Sequence, residues 1–279
     1  MRLITWNIQW GRGCDGVVDL GRIVAVARSL ADADVFCFQE VSDGFAALDG
    51  GVDQSLQLAS LLPDHQAVFR PAIEASDGQG KHRRFGNITL SRLPILQIAS
   101  HLLPSPQPGG KRGMRRQALD VTVQAGFGPV RIVNTHLEYY SAAQREAQIE
   151  RLLDLQQEAS TSLEMPEREH VDPYVSQTLV RSSLLCGDFN FDVSDPQHAM
   201  LHASSRPGLN YRDAWMLCYP GRRHEPTCGI HDHAQWTQGP DCRDFIFASE
   251  DLAGRIRHVE VDGLTDASDH QPVLIEIAE

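Results

Sequence analysis

No stretch of this sequence approaches the ~20 consecutive apolar residues that a membrane-spanning helix requires. Met1 leads directly into RLITWN, a strand-like run that is too short and too polar for the apolar region of a signal peptide. We therefore expect a cytoplasmic protein without a transmembrane segment.

Basic residues are scarce as well, because 25 Lys and Arg stand against 37 Asp and Glu, for a formal net charge of -12. This balance argues against a protein that holds nucleic acid or an anionic membrane by long-range attraction over its whole surface. Local basic patches remain compatible with it.

Paired cysteines are also lacking. The six cysteines are widely scattered, show no C-x-x-C spacing and fall partly inside apolar runs: Cys14, Cys37, Cys186, Cys218, Cys228 and Cys242. They are typical of free thiols in a reducing compartment. The alternative is a secreted protein with three bridges, but disulfides mostly stabilise chains that are too small to build a core.

What the sequence does contain is enough apolar material for a large core, since 42% of its 279 residues are hydrophobic. It shows no internal repeat, no low-complexity tract and no convincing boundary between domains. We expect one compact domain over residues 1–279.

Several apolar runs end abruptly in polar residues. The clearest are RLITWN (2–7), VRIVNTH (130–136) and SSLLCGDFN (182–190), with DVFCFQE (34–40) and RDFIFAS (243–249) as looser copies. Runs of this length and composition are typical of strands buried on both faces. Their polar ends would then line one rim of the sheets.

Helical periodicity appears at 17–31, where Val17, Leu20, Val24, Ala27 and Leu30 share one face, and at 141–159 with Ser141 as the cap. Shorter helices are predicted at 53–62 and 196–202, and further strands at 86–92, 117–123, 256–261 and 272–277. Strands interspersed with helices favour stacked sheets with helices outside over a doubly wound parallel sheet.

If the polar strand ends meet on one rim, they bring together oxygen-rich side chains: Asn7, Glu40, His136, Asp188, Asn190, Asp244, Asp269 and His270. Carboxylate and amide oxygens with few nitrogens suit Mg²⁺ or Mn²⁺ and not zinc. Each residue alone also fits a turn, a cap or a buried core position. Their joint occurrence in this order favours a functional site.

The order of seven short motifs carries a family resemblance. TWN, FCFQE, GNITLSRLPI, NTHL, GDFN, RDFIF and SDHQPV together resemble the endonuclease/exonuclease/phosphatase superfamily, over residues 3 to about 277. Individually the motifs are weak, but seven in the right order are highly specific. The resemblance implies an α/β fold, a four-layered α/β/β/α sandwich with two central mixed β-sheets and the site at their common rim.

The resemblance also implies roles for the polar residues. Glu40 would be the principal metal ligand, for Mg²⁺ or Mn²⁺, with Asn7 and Asp269 beside it. Asp188 and Asn190 would hold the attacking water and a phosphate oxygen. The catalytic pair would be His270, oriented by Asp244, and His136, with the direction of proton transfer between the histidines left open. Gln9 departs from the family pattern, which argues against a second metal.

Two basic clusters are candidate phosphate clamps. Residues 109–119 hold Lys111, Arg112, Arg115 and Arg116, of which Arg112 and Arg115 are the favoured substrate-binding residues, and residues 80–87 hold Lys81, Arg83 and Arg84. The loop with His231, Asp232 and His233 lacks a full zinc ligand set and is interpreted as a substrate-facing rim.

These observations leave three functions open. The first is a Mg²⁺-dependent phosphodiesterase or nuclease acting on a nucleic-acid or nucleotide-like phosphodiester by in-line water attack. The second keeps the chemistry and acts on a sphingolipid or an inositol phosphate. The third is an inactive binding scaffold, which the complete set of site residues disfavours. The sequence is silent on the physiological substrate and on oligomeric state.

Overall fold

The computed structural model describes residues 1–76, 78, 80–106, 113–162, 180–202 and 210–279. Two six-stranded β-sheets form its centre. The first sheet contains β1 (Arg2–Asn7), β2 (Val35–Asp43), β3 (Gln66–Ser76), β4 (His82–Ser91), β11 (Ile256–Val261) and β12 (Val273–Ile277). The second contains β5 (Ile95–Leu102), β6 (Gln117–Ala125), β7 (Gly128–His136), β8 (Ser183–Asp188), β9 (Tyr211–Asp213) and β10 (Asp244–Ser249).

Both sheets are mixed and are built on the same plan. The strand orders are β11-β12-β1-β2-β4-β3 and β5-β6-β7-β8-β10-β9. In each sheet the two central strands are parallel, β1 with β2 and β7 with β8, and the other neighbours are antiparallel. The predicted pair of mixed sheets is therefore confirmed.

Helices flank the two sheets. They are α1 (Leu20–Leu30), α2 (Ala46–Asp49), α3 (Gln54–Leu61), α4 (Ala142–Ser162), α5 (Pro196–His202) and α6 (Ala214–Cys218). Apolar side chains of α1 and α3 pack on the first sheet, and those of α4 and α5 pack on the second. A third apolar cluster fills the space between the sheets, and α6 contributes Ala214 and Trp215 to it. The predicted α/β/β/α layering is confirmed.

The structure departs from the predicted elements at the start of the first helix, at three unpredicted strands that include the short β9, and at the unpredicted helices α2 and α6. The first helix begins at Leu20, where the side chain of Asp19 accepts a hydrogen bond from the Arg22 amide, so Val17 lies before the helix and is exposed. Strands β3 and β5 have no counterpart in the sequence prediction. Both lie at sheet edges and bury little, which weakens the apolar signal that marks the central strands.

All six cysteines are unpaired, as predicted. Across the described ranges, no helix combines the length and the apolar character that a membrane crossing requires.

Candidate active site

The register of the second sheet brings three polar residues together at one rim. In the parallel pair of β7 and β8, His136 lies opposite Asp188, and in the antiparallel pair of β8 and β10, Asp188 lies opposite Asp244. Three neighbouring strands thus present His136, Asp188 and Asp244 side by side. Polar ends collect there because the apolar part of each strand lies in the core.

The first sheet supplies the facing residues. Asn7 ends β1, and Asp269 and His270 lie just before β12, which runs antiparallel to β1. Glu40 lies where the register of β2 against β4 shifts, between Phe38 and Val41. Such a bulge re-aims a side chain relative to the regular pleat.

Asn7 connects the two sheets. Its Nδ2 donates to Oε1 of Glu40 at 3.2 Å and to Oδ2 of Asp188 at 2.9 Å. Its Oδ1 accepts from the backbone N–H of Gln9 at 3.1 Å. The amide therefore fixes the carboxylates of both sheets relative to each other.

These residues open into a cleft of about 470 Å³. Its walls are formed by Asn7, Gln9, Trp10, Glu40, Arg116, His136, Tyr139, Tyr140, Asp188, Asn190, Gln235, Trp236, Asp269 and His270. Asp244 lies behind His270. Of the two favoured arginines, Arg112 lies outside the described residues, and Arg115 is exposed and is absent from the cleft wall. Its neighbour Arg116 takes that place.

A chain of hydrogen bonds orients His270. Its Nδ1 lies 2.7 Å from Oδ2 of Asp244, which leaves Nε2 directed to the cleft, 3.7 Å from Oδ2 of Asp188. Thr227 donates its hydroxyl to the same oxygen of Asp244 at 2.7 Å and accepts from the amides of Arg243 and Asp244. Because both acceptor positions of the hydroxyl are used, its proton points at Asp244.

The acidic surroundings stabilise the charged form of His270. Burial alone would lower its pKa, but Asp244, Asp188 and Asp269 outweigh burial and raise the pKa well above that of a free histidine. Burial likewise opposes ionisation of Asp188, yet the neighbouring histidines and the hydrogen bonds to its oxygens hold its pKa below the usual range. An acid and a base of opposite charge therefore face each other.

His136 behaves in the opposite way. Its Nε2 lies 3.4 Å from Oδ2 of Asp188, the oxygen that also lies near Nε2 of His270. Burial, followed by the charge of Arg116, lowers the pKa of His136 to about 3. The two histidines of the cleft thus differ in charge, with His136 neutral.

Two carboxylates remain to face a cation. Burial, and next the charge of Asp269, raise the pKa of Glu40 to about 7, so the pair holds more negative charge than its neighbours compensate. The ligand atoms of Asp188, Asp244 and His270 also lie within 4.8 Å of one another, and His270 and Asp244 are hydrogen-bonded to each other. The oxygen-rich set around Glu40 and Asp269 fits a hard divalent ion.

The backbone is strained at the cleft. Within the described ranges, four residues other than glycine have left-handed φ angles, namely Gln9 at 44°, Trp10 at 45°, Glu40 at 60° and Asn190 at 54°. All four line the cleft. Left-handed conformations cost free energy in such residues and persist only where the surrounding structure enforces them.

The loop after His233 supplies two cleft residues, Gln235 and Trp236. Asp232 accepts from the amides of Ala234 and Gln235, which turns the chain inward, and it is therefore engaged within its own loop. Trp236 donates from Nε1 to Oδ2 of Asp269 at 3.1 Å, and its ring lies 5.5 Å from that of His270. The predicted rim loop thus reaches the cleft, through Gln235 and Trp236.

Comparison with known proteins agrees with this architecture. The structure matches an endonuclease/exonuclease/phosphatase protein from Beutenbergia cavernae with a TM-score of 0.70 and 25% identity, over 100% of this chain and 72% of that one. It matches a mannosyl-6-phosphatase from Bacteroides thetaiotaomicron with a TM-score of 0.69 and 17% identity, over 100% of both chains. It also matches the catalytic domain of human Nocturnin with a TM-score of 0.63 and 18% identity, over 99% of this chain and 92% of that one. No curated protein matches the sequence.

The sequence itself carries the family signature. A sequence profile described as the Endonuclease/Exonuclease/phosphatase family matches residues 4–165, which include Asn7, Glu40 and His136. The fold is that of phosphoester hydrolases of this family, and the described cleft lies at its common sheet rim. This chain belongs to the Endonuclease/Exonuclease/phosphatase family.

Proposed function

We propose that this protein is a divalent-metal-dependent phosphodiesterase that hydrolyses a nucleic-acid or nucleotide-like phosphodiester by attack of water. One observation carries the proposal. Oδ2 of Asp188 lies 3.4 Å from Nε2 of His136 and 3.7 Å from Nε2 of His270, while Asp244 holds the other ring nitrogen of His270. This arrangement can position water, a proton and a phosphate oxygen within a few ångströms of each other.

Each residue has a role in this proposal. Glu40, Asp269 and Asn7 would hold Mg²⁺ or Mn²⁺, and when bound the ion supplies charge stabilisation at a phosphate oxygen. Asp188 and Asn190 hold the attacking water. Nδ2 of Asn190 donates to the carbonyl of Leu137, which leaves Oδ1 free to accept from that water.

The two histidines complete the proton path. His270 and Asp244 form the unit that exchanges a proton with the reacting oxygens, because Asp244 stabilises the imidazolium. His136 would donate a hydrogen bond to a phosphate or leaving-group oxygen. The neutral imidazole can do so through an N–H without carrying charge.

The rim of the cleft supports a substrate that carries rings. Tyr139 and Tyr140 are 53% and 60% exposed and pack edge to face, with ring centroids 4.9 Å apart. Trp10 and Trp236 line the same cleft. Exposed aromatic faces offer stacking surfaces to nucleobases without sequence preference.

An assay with a synthetic diester tests the proposal. We expect the purified protein to release nitrophenol from bis-p-nitrophenyl phosphate with Mg²⁺ or Mn²⁺, faster than from the monoester, and to lose this activity in EDTA. Preference for the monoester would favour a phosphatase. Failure with both esters and every divalent ion would favour the scaffold alternative. Plasmid nicking against sphingomyelin and inositol phosphate hydrolysis then separates the substrate classes.

Arg116 is proposed as the phosphate-binding cation. It is buried in the cleft wall, and its Nε lies 3.5 Å from Oε2 of Glu138, beyond normal hydrogen-bond length. Since a charge-assisted hydrogen bond contributes about 1.5–3 kcal/mol, Arg116→Met is expected to raise KM about 10- to 100-fold. Steady-state kinetics with the diester measure this.

Two controls separate binding from folding. Arg116→Met alone leaves Glu138 buried without its cation, so the double variant with Glu138→Gln restores stability and keeps the high KM. The exposed Arg115→Met should leave KM unchanged. A high KM in the Arg115 variant and a normal one in the Arg116 variant would reverse the assignment.

A further inference from the structure

A second cluster of ligand-type side chains lies outside the cleft. His198 is on α5, Asp213 ends β9 and caps α6, and His224 is in the segment that follows α6. All three side chains are almost fully buried, against the rings of Phe245 and Trp215. Three separate segments therefore converge on one carboxylate.

The possible ligand atoms of the three side chains lie within 4.8 Å of one another. Nε2 of His198 lies 2.8 Å and Nε2 of His224 lies 2.9 Å from the same oxygen, Oδ2 of Asp213. The other oxygen, Oδ1, accepts from the amides of Trp215 and Met216. The helix cap thus fixes the carboxylate, and two imidazole nitrogens with one carboxylate oxygen point at one place.

Among the described residues, no lysine or arginine pairs with Asp213. Within the described part of the chain, the ion pairs of Asp213 are those with His198 and His224. A carboxylate removed from water requires a cation or neutralisation. Two imidazoles and a carboxylate are ligands for zinc and similar transition metals, in contrast to the oxygen-rich set around Glu40.

Space for a fourth ligand lies beside the cluster. A cavity of about 20 Å³, lined by residues that include Asp213, His224, Thr227 and Cys242, is large enough for one water molecule. Cys242, which is buried, also lines this cavity. A tetrahedral ion held by the three side chains would need a fourth ligand, which a water molecule in this cavity would supply.

We infer that His198, Asp213 and His224 form a structural Zn²⁺ site, separate from the catalytic cation. An ion there would tie α5, β9 and the segment at His224 together. Thr227, three residues after His224, donates to Asp244, so the site would also stabilise the segment that orients His270. The inference does not depend on the proposed activity.

Zinc content of the tag-free protein tests the inference. After equilibration with Zn²⁺ and removal of loosely bound metal, His224→Gln is expected to hold about one equivalent less zinc than the wild type. Glutamine keeps a donor for Asp213 but is a poor zinc ligand, so the fold is retained. The difference between the two proteins is independent of any zinc in the cleft.

His202→Ala is the matched control, because its ring lies 4.9 Å from that of His198 on the same helix but its Nδ1 faces the His198 carbonyl. It should keep the zinc. If His224→Gln does not fold, the melting temperature of the wild-type protein with and without Zn²⁺ tests the site. Chelator-treated protein should gain about 5–10 °C in Tm with Zn²⁺ at 100-fold excess over Kd, and not with Mg²⁺. Equal zinc in wild type and variant, or no gain in Tm, overturns the site.

Discussion

Replacing His270 with Ala lowers kcat by about 10²- to 10⁴-fold, the range that a positioned acid or base contributes. Asp244→Asn lowers kcat as well while KM changes little. The expected cause is the loss of the negative charge 2.7 Å from Nδ1 of His270, which stabilises the imidazolium. Substrate binding is spared because Asp244 lies behind His270 and away from the cleft wall.

Steady-state kinetics of both variants with a diester substrate measure these effects. Asp266→Asn is the matched control, because Asp266 is exposed and lies four residues before His270. The hydrogen bond that Asp266 accepts from the Cys14 amide goes to its backbone carbonyl, so the substitution keeps it. It should retain wild-type kinetics. An unchanged turnover number in Asp244→Asn would reject the orienting role of Asp244.

Glu40→Gln is expected to abolish metal-dependent activity and to stabilise the metal-free protein. The carboxylate is a main part of the proposed cation site, so the variant should need far more Mg²⁺ for any turnover. In the absence of metal the same charge is buried beside Asp269, which is unfavourable. We expect the free energy of unfolding at pH 8 in EDTA to rise by about 1–3 kcal/mol.

The pH dependence of this effect has a definite sign. The pKa of Glu40 rises from 4.5 to about 7 on folding, so the folded state binds the proton more tightly. Wild-type stability in EDTA should therefore fall as pH rises from about 4.5 to 7, and this fall should be smaller in Glu40→Gln, where the raised pKa values of Asp244 and His270 remain. Chemical denaturation at both ends of this window measures it. Equal pH slopes in the two proteins would contradict the burial of an uncompensated Glu40 charge.

Much of the rim was predictable from the sequence because of how buried strands end. The runs at 2–7, 130–136 and 182–190 are apolar up to the point where they leave the core, and their polar ends then lie at the sheet rim. Strand pairing then brings these polar ends close to one another, as in the pairing of His136 with Asp188.

The walls of the cleft were less predictable, because loop geometry decides them. Arg115 and Arg116 are adjacent in the irregular segment before β6, yet Arg115 is exposed and Arg116 is buried. Trp236 donates to Asp269, which lies 33 residues later in the chain. Asp232 stabilises the turn that directs Trp236 to the cleft. Neither the burial of Arg116 nor the placement of Trp236 is indicated by a periodic pattern in the sequence.

The irregular strand β2 limits prediction in a third way. Glu40 follows an apolar run and reads as a strand residue, yet its φ angle of 60° belongs to a bulge. A left-handed backbone conformation is unfavourable for glutamate, so the pairing of β2 with β4 on both sides of Glu40 must enforce it. Thr227 is similar, because its role depends on two backbone amides that folding brings to its hydroxyl.

The four left-handed residues of the cleft also bear on how this protein would respond to selection for heat resistance. Glycine relieves left-handed strain, so substitutions at Gln9, Trp10, Glu40 and Asn190 are among the simplest routes to a more stable chain. Each of them removes a side chain from the cleft wall. Variants recovered by survival at high temperature alone would thus accumulate at the positions where the proposed chemistry is lost first, and only a screen that also demands turnover would keep them out.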